Sequence, residues 1–285
     1  MELIKCMTLP QEILDLVFLK LDYKTLKNSR ELQSDYVKKI TEFDNFKDAA
    51  KNGNFENMKW LKKNNCRWDK RAFDEAVQNG NFEIIKWLKE NGCPWGSMTF
   101  EFSARFGDLE IMKWLKENNF PYDDTVFYEA TKNGNLENVK WLHSINCPFD
   151  NWAFHGAVQS GNLELMKWLK EINCPWDNMT FDYASINGNL DNMKWLKENG
   201  CPYSFSAFAL TADNGNLENL KWMKENNFPM DSNAINYAAE KGHLEVVKWL
   251  YKEGCPYNYT SLCNISGRRQ STRHILKWVE QNVKK

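Results

Sequence analysis

The 285-residue chain sets 37 basic against 38 acidic side chains with no long block of either sign, which gives no support to a nucleic-acid tail or a membrane-seeking patch. No stretch approaches ~18 consecutive apolar residues, and the N-terminus lacks the basic region, apolar run and small-residue cleavage site of a secretory signal. A soluble protein of the cytoplasm is therefore expected, with the nucleus as the alternative address.

The first forty residues differ from the rest. Leu9-Pro10-Gln11-Glu12 opens an apolar run of Ile13, Leu14, Val17, Phe18 and Leu21 at the spacing of one helix face, with Pro10 suited to the first turn. Asp22 is a plausible N-cap for a second helix through Leu26, and Leu32, Tyr36, Val37 and Ile40 suggest a third. Periodicity alone reads this stretch as a helical cap for the remainder of the chain. The order Leu-Pro-x-Glu-Ile-Leu, Val-Phe and Leu-Asp-x-Lys-Thr-Leu resembles the F-box, the three-helix module that docks on the Skp1 subunit of Skp1–cullin–F-box ubiquitin ligases. The resemblance implies that Leu9, Pro10, Ile13, Leu14, Val17, Phe18 and Leu21 contact a Skp1-like subunit. It weakens in the third helix, where many F-boxes carry Trp and this chain has Tyr36-Val37.

From about residue 42 a Lys-Trp pair recurs with Trp at 60, 87, 114, 141, 168, 195, 222 and 249, a period of 27, and once more out of step at Trp278. A fixed period in this range predicts a stack of small units that bury a shared core. Each unit reads as two helices. Gly at 53, 80, 107, 134, 161, 188, 215 and 242 suits the left-handed residue that closes the first helix, and the Asn or Asp that comes next, replaced once by His243, is the N-cap of the second. The second helix carries Phe82, Ile85 and Leu88, flanked by Ile84 and Trp87, so it needs neighbours on more than one side, and its Trp is expected in the core. Glu83 before Lys86 and Glu110 before Lys113 mark a solvated outer wall.

Cys66, Cys93, Cys147, Cys174, Cys201 and Cys255 share one slot of the register, filled by Phe120 and Phe228 in two other units. Units stacked about 8–10 Å apart hold equivalent Cα atoms beyond the ~7 Å reach of a disulfide, and Phe cannot replace a bridged or metal-bound thiolate. Buried free thiols are expected.

The string from Ala238-Ala239-Glu240-Lys241-Gly242-His243 to Trp249-Leu250 resembles an ankyrin repeat, and the likeness runs over about residues 42–260. Two departures from that family are the short period and the reduction of the β-hairpin finger to a Cys-Pro-aromatic turn such as Cys93-Pro94-Trp95, so binding should rest on the first helices. Short, Asn- and Lys-rich units behind an F-box-like start are similar to ankyrin proteins of giant amoebal viruses, which would make the address host cytoplasm. After Gly267 the register breaks, and Ile275 to Val279 read as a capping unit whose preceding arginines form a solvated edge.

No metal-binding, phosphate-cradling or nucleophile motif occurs, and His143, His155, His243 and His274 stand where other units hold unrelated residues. No catalytic, cofactor or metal residue is assigned, and an enzyme is not expected. Positions that vary on an exposed face are the candidates for partner recognition. Just before the recurring Gly the series includes Gln78, Arg105, Lys132, Gln159, Ile186, Asp213 and Glu240, passing from basic to acidic; Phe106 stands beside it and Trp152 sits at a turn. In ankyrin folds these positions line the concave groove.

The reading is an all-α ankyrin-type helical solenoid: a three-helix F-box-like module over residues 1–41, eight units over 42–260 and a degenerate capping unit over 261–285. Such a chain would be a monomeric adaptor joining a Skp1-like subunit to a target protein, without nucleic acid, membrane or cofactor. The alternative is a plain ankyrin scaffold whose first helices only cap the stack.

Overall fold

The computed structural model describes residues 44–63, 65–267 and 270–283, so the F-box-like stretch lies outside the described residues. The described residues form α-helices and one short 3₁₀ turn, with no strand among them. They divide into two compact units at Pro121 and Tyr122. The first holds three helix pairs: α1 (Asp44–Lys51) with α2 (Phe55–Lys63), α3 (Lys70–Gln78) with α4 (Phe82–Glu90), and α5 (Thr99–Phe106) with α6 (Leu109–Glu117). The second holds six: α7 (Asp124–Asn133) with α8 (Leu136–Ser144), α9 (Asn151–Ser160) with α10 (Leu163–Glu171), α11 (Asn178–Asn187) with α12 (Leu190–Glu198), α13 (Ala207–Asn214) with α14 (Leu217–Glu225), α15 (Ser232–Lys241) with α16 (Leu244–Lys252), and α17 (Tyr259–Gly267) with α18 (Arg273–Asn282). The 3₁₀ turn Gln270–Thr272 joins the last pair.

Each helix of eight to ten residues is too short to persist alone in water. Stacking holds it. Within each unit the first helix of one pair packs on that of the next, and each pair closes on its own second helix. The centre of each unit is a column of phenylalanines on the first helices, Phe46, Phe73 and Phe100 in one and Phe127, Phe154, Phe181 and Phe208 in the other, all fully buried. From the second helices Ile84, Ile85 and Leu88 and their equivalents complete it.

The recurring Trp is not core, contrary to the periodicity reading. Trp87 and its equivalents are half-buried, and several pack against aromatics of neighbouring pairs, as in the T-shaped contacts Phe55–Trp87 at 5.6 Å and Phe82–Trp114 at 5.8 Å. The smaller aliphatic side chains fill the narrow interior between second helices, while the indole covers the seam and leaves one edge wet.

The helix boundaries follow the local chemistry. Gly107 and Gly188 close their helices with φ of 78° and 77°, a region that costs a side-chain-bearing residue free energy. Asn81, Asp108, Asn162 and Asn189 cap the next helix through side-chain oxygens that accept first-turn N–H groups. His243 makes no such cap and instead places Nε2 3.0 Å from the Asp213 carbonyl of the preceding pair.

The register cysteines are free and buried, with Phe120 and Phe228 equally buried in the same slot. Their thiols point at backbone carbonyls 24 residues earlier, Cys93 at Asp69 (3.6 Å), Cys174 at Asp150 (3.6 Å) and Cys255 at Asp231 (3.3 Å). Burial pushes the thiols of Cys93, Cys174 and Cys201 up to about 12 and that of Cys255 to about 11, from an ordinary value of 9.0.

Among the described residues several buried polar atoms lack a partner, and Asn192 lacks one at both ends of its side-chain amide. Asn192 is 1% exposed and its side-chain amide finds no hydrogen-bond partner among the described residues. Equivalent places in other pairs hold Ile84, Ile111, Leu165 and Val246, all buried. An unpaired buried amide costs about 1–3 kcal/mol, so Asn192→Leu should raise stability by about that amount. Urea denaturation of the variant beside the parent checks this, and an unchanged or lowered midpoint would count against it.

Candidate protein-binding face

The exposed face of the first helices collects nearly all of the large apolar side chains left in solvent. Phe106 lies on it in the first unit and Trp152, Met179, Ile186 and Tyr237 in the second, while Met98 and Phe205 stand just before the first helices of their pairs, with exposures from 38% at Tyr237 to 67% at Phe205. Single exposed apolar residues are ordinary on a protein surface, but a run of them on consecutive packed helices is not.

The sequence candidates divide between the units. Gln78, Arg105 and Phe106 belong to the first, and Lys132, Trp152, Gln159, Ile186, Asp213 and Glu240 to the second, where they sit on successive helices α7, α9, α11, α13 and α15. Arg105 donates to Glu101 at 2.9 Å across one helical turn and lies over the ring of Phe102, so its charge is partly spent within its own helix. Phe106 ends the same helix at 53% exposure. Lys132 leans over the Tyr128 ring. The passage from basic to acidic is blunted at Asp213, whose carboxylate stands 3.4 Å from Lys241 of the next pair.

Trp152 is placed in the first turn of α9 rather than in a turn between helices, because Asp150 caps the helix by accepting the Trp152 N–H at 2.9 Å. Its ring packs edge-on against Tyr128 at 6.0 Å and against His155 at 5.2 Å. Beneath it, His155 is fully buried, with Nε2 2.9 Å from Asp177 and its ring 5.1 Å from that of Tyr183. Asp177 also accepts from Asn151 Nδ2 at 2.7 Å and forms a capping box with Thr180 at the start of α11. Partial burial opposes the charge on Asp177, yet these hydrogen bonds outweigh it and hold the carboxyl below the usual carboxylate range. Burial prevails at the next carboxylate, pushing Asp182 up although the Ser204 hydroxyl donates to it at 2.6 Å. The floor under Trp152 is therefore a polar network tying α9 to α11, which fixes the ring in place.

Sequence comparison missed Met98, Met179, Phe205 and Tyr237 as members of this face. For Met98 and Met179 the register held the signal, since the position of Trp152 is Arg71, Met98, Thr125, Met179, Ser206 and Asn233 in other pairs, as variable as the series before the glycine; Phe205 and Tyr237 occupy other places of the register. Among the described residues no three His, Cys, Asp or Glu side chains gather as a metal site, and no helix is long and apolar enough to cross a membrane.

Comparison with known proteins agrees with the paired-helix geometry. Residues 46–88 match a family described as ankyrin repeats (many copies), and residues 181–261 one described as ankyrin repeats (3 copies). No curated protein matches. Among solved structures, the pentatricopeptide repeat protein PPR10 in complex with an 18-nt psaJ RNA element is similar at 12% identity and a TM-score of 0.35 over 96% of this chain and 53% of that one. PPR10 from maize is similar at 11% identity and a TM-score of 0.42 over 80% of this chain and 42% of that one. The chain thus spans about half the length of these structures. With helix pairs, left-handed glycine closures and capping asparagines recurring in step, residues 46–88 and 181–261 are ankyrin repeats, units that typically serve as non-enzymatic scaffolds for protein partners.

Proposed function

We propose that the chain is a non-catalytic adaptor that holds a target protein on the first-helix face of its repeats and presents it to a Skp1–cullin–F-box ubiquitin ligase. The observation that carries the target-binding half is the exposure of Trp152, Met179, Ile186 and Tyr237 on first helices of one unit and of Phe205 in the turn before another, a composition suited to binding hot spots. Support for the ligase half is the F-box-like order of Leu9, Pro10, Ile13, Leu14, Val17, Phe18 and Leu21. On this reading residues 1–41 dock on the Skp1-like subunit, 42–260 form the array and 261–285 close it. Rate enhancement comes from effective concentration, because tethering target and ligase to one chain turns their meeting into an intramolecular event.

Purified full-length chain should retain Skp1, and Leu14→Asp should abolish that retention while leaving the helical circular dichroism signal unchanged. Failure of the parent chain to hold Skp1 would remove the ligase half and leave a scaffold. Loss of both Skp1 retention and helicity in the variant would make the first forty residues a structural cap.

A further inference from the structure

Trp152 and Met179 stand in the first turns of α9 and α11, and Phe205 in the turn just before α13, at 44%, 44% and 67% exposure. Packed helices lie about 8–10 Å apart, so the row offers one apolar contact at roughly that interval. The charge around it is one-sided. Residues 148–160, 175–187 and 202–214, the turns and first helices of these pairs, contain Asp150, Asp177, Asp182 and Asp213 and neither lysine nor arginine. The corresponding helices of the first two pairs carry Lys47, Lys51, Lys70 and Arg71. The lysines that reach these segments arrive from outside: Lys241 pairs with Asp213, while Lys170 and Lys197 lie over the rings of Trp176 and Tyr203.

Resting on the protein-binding reading above, we infer that this face takes a cationic amphipathic protein segment, with apolar side chains about 10 Å apart seated on Trp152, Met179 and Phe205 and Lys or Arg between them facing the four aspartates. The interval corresponds to every seventh residue of an α-helix or every third of a polyproline II segment. An anionic segment would meet four carboxylates with no cation on these helices to answer it. Nucleic acid is disfavoured on the same ground.

The test is selection of a displayed library of random peptides of about sixteen residues, long enough as a ~24 Å helix to cross three pairs, on the immobilised full-length chain. Enriched peptides should carry net positive charge and apolar residues at one of the two spacings. They should bind the Trp152→Ala/Phe205→Ala chain about ten-fold more weakly. Phe205→Ser alone, at the most exposed of the three sites, should weaken them without touching the fold. Asp182→Asn/Asp213→Asn should flatten the salt dependence of binding. Neutral or acidic winners that still need Trp152 and Phe205 would overturn the charge assignment and leave the protein-binding reading intact. Absence of any winner, or winners indifferent to those side chains, would overturn both.

Discussion

Gly156→Val is expected to destabilise the α7–α9 packing by about 3 kcal/mol, a large fraction of what holds two short helices together. A Cβ at Gly156 would lie 2.3 Å from Thr131 Oγ1, 2.9 Å from the Tyr128 carbonyl oxygen and 3.0 Å from the Lys132 nitrogen. Two of those three atoms are backbone, and the third is held, because the Thr131 hydroxyl donates to the Tyr128 carbonyl at 2.7 Å. Helix α7 must therefore move away. Any non-glycine residue gains intrinsic helix preference, about 1 kcal/mol for alanine, and here the clash outweighs that gain. Other pairs carry full side chains at this place, among them Glu75, Phe102 and Tyr183, so the close approach is particular to α9. That approach also brings Trp152 against Tyr128, and the valine variant should show a red shift of tryptophan emission together with faster hydrogen exchange in α7 and α9. Exchange is the better measure, since repeat arrays need not unfold as one cooperative body. Parent-like exchange in those two helices would refute the packing argument.

The buried thiols make the second large prediction, a chain that loses stability steeply in alkali. Cys93, Cys174, Cys201 and Cys255 ionise near 9.0 when exposed and only at about 11 to 12 in the fold. Their folded values are raised, so the stability they contribute is complete below pH 9 and is withdrawn as the pH climbs from about 9 toward 12. Each thiol withdraws roughly 1 kcal/mol per pH unit in that window, or roughly 4 for the four together. A chain with Cys93, Cys174 and Cys201 replaced by alanine should start less stable at neutral pH and then lose stability more slowly above pH 9. Superimposable pH profiles of the two urea midpoints would exclude the mechanism. The same burial keeps the thiolate fraction of these four about a hundred- to a thousand-fold lower at mildly alkaline pH, so Ellman's reagent should label half-exposed Cys263 well before them.

Legibility in the sequence depended on the kind of force involved. Gly107, Asp108 and the cysteine slot were legible because caps, left-handed closures and small buried side chains are local demands repeated identically in each pair. Trp87 misled because periodicity reports that a position matters to stacking, without saying whether it fills the interior or covers a seam; the Phe73 column, equally periodic, is the true centre. Asp213 read as a free acid because its partner Lys241 lies on the next pair. Trp152 was found by its oddity within the register, where Met179 is a less conspicuous side chain at the same place, whereas Phe205 escaped because it lies in the turn before α13 and off that place. Gly156 gave no signal at all, for its role depends on how closely α7 and α9 meet.

The asparagines of the stack give it a direction. Asn79 donates back to the Lys51 carbonyl at 2.8 Å, Asn187 to Gln159 at 3.1 Å and Asn214 to Ile186 at 2.6 Å, while Asn162 and Asn219 reach back to the carbonyls of Gly134 and Gly188. In each of these bonds the later pair seals the open end of the earlier one. Deleting a pair from the N-terminal side of such a run leaves a side-chain amide turned toward water, whereas deleting one from the C-terminal side leaves backbone carbonyls, those of Gly134 and Gly188 among them partly buried. Asn151 to Asp177 and Lys62 to Asn91 run the other way, but the five backward bonds outnumber these two, so fraying should favour the C-terminal edge, like a seam with most of its stitches tied from one side.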